Sequence, residues 1–179
     1  VGAFIPVFPF LVLEGRAAQG GIAIVAISGV AGAGKSALVH ELRPLLAESG
    51  GYLASGKFDA YRRDVPYSGL AAAIGNLLDQ IFTETQASVA RWRRELESAL
   101  GGLAGALVDL LPDLELLLGD VPRPPALGPG ETKARLALAV QRMVRCAAAT
   151  DHPLALFLDD LQWADPESLD QQGVGELIQ

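Results

Sequence analysis

Cysteine occurs once in the 179 residues, at Cys146. A single cysteine excludes a disulfide within the chain and a cysteine-based zinc site. Cys146 sits in an apolar, helix-periodic run, where a small buried side chain is expected rather than a nucleophile. The two histidines, His40 and His152, have no ligand spacing. Lysine is confined to positions 35, 57 and 133, with arginine supplying the other basic residues. Aromatic residues are only 6%, so a core must be built from Ala, Leu, Val and Ile. The net charge is −7, which argues against non-specific binding to a phosphate backbone, an interaction that needs a basic surface. No apolar run reaches the roughly 20 residues of a membrane span. The opening VGAFIPVFPFLVLEG is too short for one, carries Pro6 and Pro9, and lacks the basic start of a secretory signal. Residues 1–20 are therefore expected to be an atypical N-terminal segment. The absence of an initiating Met suggests a fragment or an alternative start, and the rest reads as soluble and cytoplasmic.

What is present is a globular composition, 50% hydrophobic and 20% charged, of a length suited to one domain. Residues 22–28 form a β-branched apolar run that reads as a buried parallel strand. Residues 36–46 have helical periodicity, with Leu38, Val39, Leu42, Leu45 and Leu46 on one face and Pro44 placed to bend or end the helix. Ser49-Gly50-Gly51 is a stop signal, and residues 52–58 read as a second strand. Helical spacing recurs over 67–82, 89–100, 103–111 and 131–149, with a Pro- and Gly-rich loop at 120–130. Residues 154–158 form another apolar strand. Asp165 before Pro166 is placed to cap a last helix. Between Ser36 and Asp159 there is more chain than a minimal core needs, and the surplus at about 68–119 is expected to be a helical insertion beside the sheet.

The strongest signal is Gly29-Val30-Ala31-Gly32-Ala33-Gly34-Lys35-Ser36, a full match to G-x-x-x-x-G-K-[ST] between a strand and a helix. Glycines allow backbone N–H groups to turn around a phosphate. Lys35 brings a point charge to the β- and γ-phosphates, and Ser36 offers a hydroxyl to Mg²⁺. The nucleotide-binding set is residues 29 to 36 with Ala37 behind them. Leu154-Ala155-Leu156-Phe157-Leu158 followed by Asp159-Asp160 has the form of a Walker B strand, in which one acid supports Mg²⁺ and a neighbour acts on the attacking water. Asp159 takes the first role with Ser36, Asp160 the second.

The run Leu158-Asp159-Asp160-Leu161-Gln162-Trp163-Ala164-Asp165, together with residues 56–68 (GKFDAYRRDVPYS), resembles the AAA-type ATPase modules of bacterial signalling proteins. These belong to the signal-transduction ATPases with numerous domains, the STAND class. Such a module lies between a serine/threonine kinase-like domain and a sensor histidine kinase in large receptors. Related ones occur in nucleotide cyclases and in maltose-regulator-type activators. The resemblance covers about residues 21–170. It implies an α/β fold: a P-loop NTPase three-layer αβα core with a parallel sheet. It also implies ATP, Mg²⁺, a cytoplasmic site, slow hydrolysis as a switch, and neighbouring signalling domains as partners. A sensor-bearing strand and an arginine finger, usual in this branch, are not in the sequence, so residues 21–179 are expected to be a partial module.

Two other functions share the glycine loop. A DNA-associated AAA ATPase of the origin-recognition kind is disfavoured by the acidic charge and the lack of a basic helix. A small-molecule kinase would need a substrate site and an Arg-rich lid. Arg91, Arg93 and Arg94 are followed directly by Glu95 and Glu97 and read as a solvated face. Arg62 and Arg63 read as a loop pair, Trp163 as a packing anchor, and Leu110 to Leu118 as core.

Overall fold

The computed structural model describes residues 27–30, 32–62, 65–148, 153–165 and 168. The strand expected at 22–28 and the last helix expected after Pro166 lie almost wholly outside them, as do Ala31, Arg63 and His152. From the glycine loop the described chain forms α1 (Lys35–His40) and α2 (Leu42–Glu48), then β1 (Tyr52–Lys57). A single 3₁₀ turn (Ala60–Arg62) leads to α3 (Ser68–Phe82) and α4 (Gln86–Leu100). A second turn (Gly101–Leu103) is followed by the short α5 (Ala104–Leu107) and α6 (Asp113–Leu118). The long α7 (Pro129–Ala147) precedes β2 (Leu154–Asp159) and a third turn (Leu161–Trp163).

The helix expected at 36–46 is two helices broken at Glu41. Pro44 has no N–H for the His40 carbonyl, and its ring crowds that carbonyl, so the ladder cannot run through. Of the face expected to be apolar and inward, Val39 is buried but Leu45 is exposed. The helix expected over 103–111 is likewise interrupted, with α6 restarting after Pro112.

Among the described residues the sheet has two parallel strands, β1 beside β2, in the register Tyr52↔Leu154 to Lys57↔Asp159. The helices packed beside it hold the core. Leu77, Leu78 and Ile81 of α3, Trp92, Leu96 and Leu100 of α4, Leu114 of α6 and Met143 of α7 are almost wholly enclosed. β2 is half-buried along its whole length.

The edge of β1 away from β2 is closed by side chains of α3. The Ser55 N–H donates to Asn76 Oδ1 at 3.2 Å, and Gln80 Nε2 donates to the Leu53 carbonyl at 2.9 Å. Two amide side chains thus occupy the ladder positions a further strand would take, which satisfies backbone groups that are costly to leave unpaired. At the start of β1 the Tyr52 hydroxyl accepts from Trp92 Nε1 at 3.2 Å and donates to Glu84, with the Tyr52 and Trp92 rings edge to face at 5.6 Å. Arg93 pairs with Glu97 at 2.9 Å and donates to the Leu118 carbonyl at the C-terminus of α6, a favourable place for a cation.

α3 lies so close to β1 that the contact is backbone on backbone. A Cβ at Gly56 would overlap the Gly69 carbonyl and come within 2.7 Å of the Ala73 nitrogen. Gly56→Ala should therefore force α3 outward and lower stability by about 1–3 kcal/mol, the usual cost of overpacking. Chemical denaturation measures it, and a midpoint unchanged from wild type would contradict this packing.

Candidate functional site

The carboxyl ends of β1 and β2 and the glycine loop meet at one end of the sheet. Gly32 and Gly34 adopt φ of 79° and 82°, a region open to glycine and strained for other residues. A Cβ at either would meet nothing within 4 Å, so conformation, not crowding, demands glycine there. The loop is tied by the Ala33 N–H to the Val30 carbonyl at 3.2 Å and leads directly into α1. Gly29, Val30, Gly32, Ala33, Gly34 and Ala37 are exposed, while Lys35 and Ser36 are half-buried. Ala31 lies outside the described residues.

The Lys35 ammonium folds back over the loop and donates to the carbonyls of Gly29 at 3.0 Å and Val30 at 3.2 Å. The Ser36 hydroxyl donates to Asp159 Oδ2 at 3.1 Å across 123 residues of sequence. The other oxygen of Asp159 accepts the Asp160 N–H at 2.9 Å. Asp159 is the last residue of β2, and Ser36 belongs to the first turn of α1, so strand end and loop end are joined through one carboxylate.

Asp160 takes a different direction. Its backbone is left-handed, φ 55°, and its carboxylate accepts from Lys57 at 3.0 Å and from Gln162 Nε2 at 3.1 Å. Lys57 closes β1, and the parallel register sets it opposite Asp159, one residue from its partner. The hydrogen bond from Lys57, then that from Gln162, holds the Asp160 carboxyl below the usual carboxylate range, and Asp160 in turn raises Lys57. Lys57 carries no motif of its own in the sequence, being one residue of a strand end; the signal is that β1 and β2 pair in parallel, which aligns their last residues.

Asp165 is 1% exposed and accepts the Ser168 N–H at 2.8 Å and the Ser168 hydroxyl at 2.7 Å, as a helix cap does. The same carboxylate also accepts the Tyr67 N–H at 3.1 Å, a contact no sequence spacing announces. Trp163, expected as a packing anchor, is 37% exposed beside the more exposed Leu161. Burial, and secondarily Glu95, pushes the Cys146 thiol up to about 11, so it is protonated and a poor nucleophile near neutrality. Among the described residues no group of three or more His, Cys, Asp or Glu could hold a metal. Ser36 and Asp159 bring a hydroxyl and a carboxylate within 3.1 Å of each other, oxygen groups of the kind that could hold Mg²⁺ directly or through its waters.

The profile of the AAA ATPase domain matches residues 11–174, and the chain belongs to that family, whose members share the α/β fold of P-loop NTPases. Nucleotide binding, usually with Mg²⁺, goes with the family. Two curated relatives are similar over most of the chain. The hybrid signal transduction histidine kinase G of Dictyostelium discoideum is 29% identical over 153 residues, 86% of this chain and 4% of that protein. Histidine protein kinase 1 of Candida albicans is 25% identical over 164 residues, 84% of this chain and 7% of that protein. The chain thus spans only a small part of the relatives it matches. No solved structure matches it significantly. No helix among the described residues is long and apolar enough to cross a membrane.

The Lys57–Asp160 pair has a definite pH signature. Asp160, with its folded value depressed, contributes stability above the ordinary carboxylate range and loses it as pH falls through the depressed value. Lys57, with its value raised, contributes below the ordinary lysine range and loses it as pH rises through the raised value. Lys57→Met should move the Asp160 titration upward, as followed by its carboxyl carbon resonance; an unmoved midpoint would remove Lys57 as the cause.

Proposed function

We propose that this chain is the ATP-binding, slowly hydrolysing switch module of a signalling protein of the STAND class, acting in the cytoplasm on neighbouring domains of the same protein. The observation that carries this reading is the Ser36–Asp159 hydrogen bond, which joins the two segments whose chemistry a P-loop ATPase requires. That both curated relatives are named as histidine kinases supports the signalling context.

In this reading the glycine loop, Gly29 to Ser36, encloses the phosphates with backbone N–H groups, and Ala37 continues α1 behind them. Lys35 exchanges the Gly29 and Val30 carbonyls for phosphate oxygens. This is a short movement of a flexible side chain already placed over the loop. Ser36 would hold Mg²⁺ directly and Asp159 through the water shell of the ion, which would supply positive charge to offset that of the phosphates. Asp160, once released from Lys57, accepts a proton from the attacking water. Release from Lys57 is then a step that a neighbouring domain could favour or oppose, in keeping with slow turnover in a switch.

Lys35→Ala should weaken Mg-ATP binding about ten- to a hundredfold, the worth of one charge-assisted contact. Calorimetry on the full-length protein measures it, and equal affinity for both forms would overturn the assignment of the loop. Asp160→Asn should bind ATP normally while its turnover falls by about a hundredfold or more, the range of general base catalysis. Undiminished steady-state hydrolysis would leave Asp160 with a structural role only.

A further inference from the structure

We propose that Asp165 is a positioning residue that fixes the segment following β2 against the start of α3 and so sets where Asp160 stands. This deepens the reading of the site as a hydrolytic one and rests on it. Among the described residues Asp165 is the one buried acid. A cap for the following turn would need only the Ser168 N–H and hydroxyl. Asp165 Oδ1 is shared with a third donor, the Tyr67 N–H, which lies 98 residues away and belongs to another element.

Both ends of the connection are geometrically constrained. Asp160 and Tyr67 are the two non-glycine residues at positive φ among the described ones, at 55° and 59°. Such backbone persists only when surrounding bonds hold it. From Asp160 the chain makes one 3₁₀ turn, with the Trp163 N–H on the Asp160 carbonyl at 2.9 Å and the Ala164 N–H on the Leu161 carbonyl at 3.0 Å. It then extends at Ala164 into the clamp. Segment 160–164 is therefore a short, internally bonded strut with Asp165 at its far end.

The anchor on the other side is firm. Tyr67 is 5% exposed and precedes the turn of α3 that is pressed on β1, where a Cβ at Gly69 would come within 2.6 Å of the Phe58 ring. β1 also carries Lys57, the ionic partner of Asp160. Asp160 is consequently located from two directions: by Lys57 directly, and by Asp165 through the strut. Loss of the second constraint lets the strut shift while the glycine loop, Ser36 and Asp159 keep their places.

Two substitutions separate clamp from cap. Asp165→Asn preserves every bond: the amide oxygen accepts both N–H groups, and the amide nitrogen donates to a Ser168 hydroxyl turned to accept. Asp165→Ser keeps the cap, since serine is a good capping residue, but its hydroxyl is too short to reach Tyr67 as well. In the full-length protein, Asp165→Ser should bind ATP within about twofold of wild type while kcat falls about a hundredfold, the loss that a displacement near 1 Å produces. Asp165→Asn should retain both. Leu96→Ala, which hollows the apolar core around α4, should lower stability and leave kcat within about twofold. Hydrogen exchange gives a readout free of activity: in Asp165→Ser the Trp163 and Ala164 amides should exchange at least about tenfold faster while the amides of α4 and α7 do not change. The proposal fails if strut exchange is unaltered, if Asp165→Ser turns over at the wild-type rate, or if Leu96→Ala loses kcat equally. Wild-type protein that binds but never hydrolyses ATP would sink the hydrolytic reading alone, and the exchange result would still decide whether Asp165 holds the strut.

Discussion

The parallel pairing of β1 with β2 is the constraint on which the site depends. Parallel strands in register end together, so Lys57 and Asp159 leave the sheet side by side. That alignment brings Asp160 to Lys57 and sets Asp159 at the strand end where it meets Ser36. A slip of one residue would turn every side chain of β2 to the opposite face and separate both contacts. What holds the register is the packing around it: Gly56 and Gly69 let α3 lie directly on β1, and Asn76 and Gln80 of α3 close the far edge.

The two adjacent acids illustrate how a backbone divides roles between identical side chains. Asp159 is still in extended strand geometry and faces the glycine loop. Asp160 is already in the left-handed region and faces β1. One change of backbone conformation sends two carboxylates to two partners, the Ser36 hydroxyl and the Lys57 ammonium. Asp and Asn tolerate the left-handed region better than most residues, which is a local reason for an acid at that position.

Much of the helical layer could be read from periodicity because its apolar residues recur at helical spacing. α3, α4 and α7 lie within two or three residues of their expected limits, and the apolar positions Leu70, Ile74, Leu77, Leu78 and Ile81 are all buried. Periodicity says nothing of interruptions. Pro44 and Pro112 break runs whose side chains still repeat correctly, because a missing N–H and a ring clash act on the backbone, which a hydrophobic pattern does not register. It also says little of depth: Leu45 and Leu116 carry the right residue type in the right phase and remain exposed, since exposure depends on what lies opposite.

By itself the sequence determined the local pieces of the site: the glycines at 32 and 34, the lysine and serine after them, and a strand of apolar residues ending in two acids. These are contiguous signals, and their physical cause is the local backbone geometry each segment must adopt. Only the tertiary structure decided which of these pieces touch. Ser36 and Asp159, Lys57 and Asp160, Tyr67 and Asp165 are 123, 103 and 98 residues apart. Contacts at such separations are set by strand register and helix docking, which depend on the sum of many weak packing terms and leave no spacing to be counted along the chain.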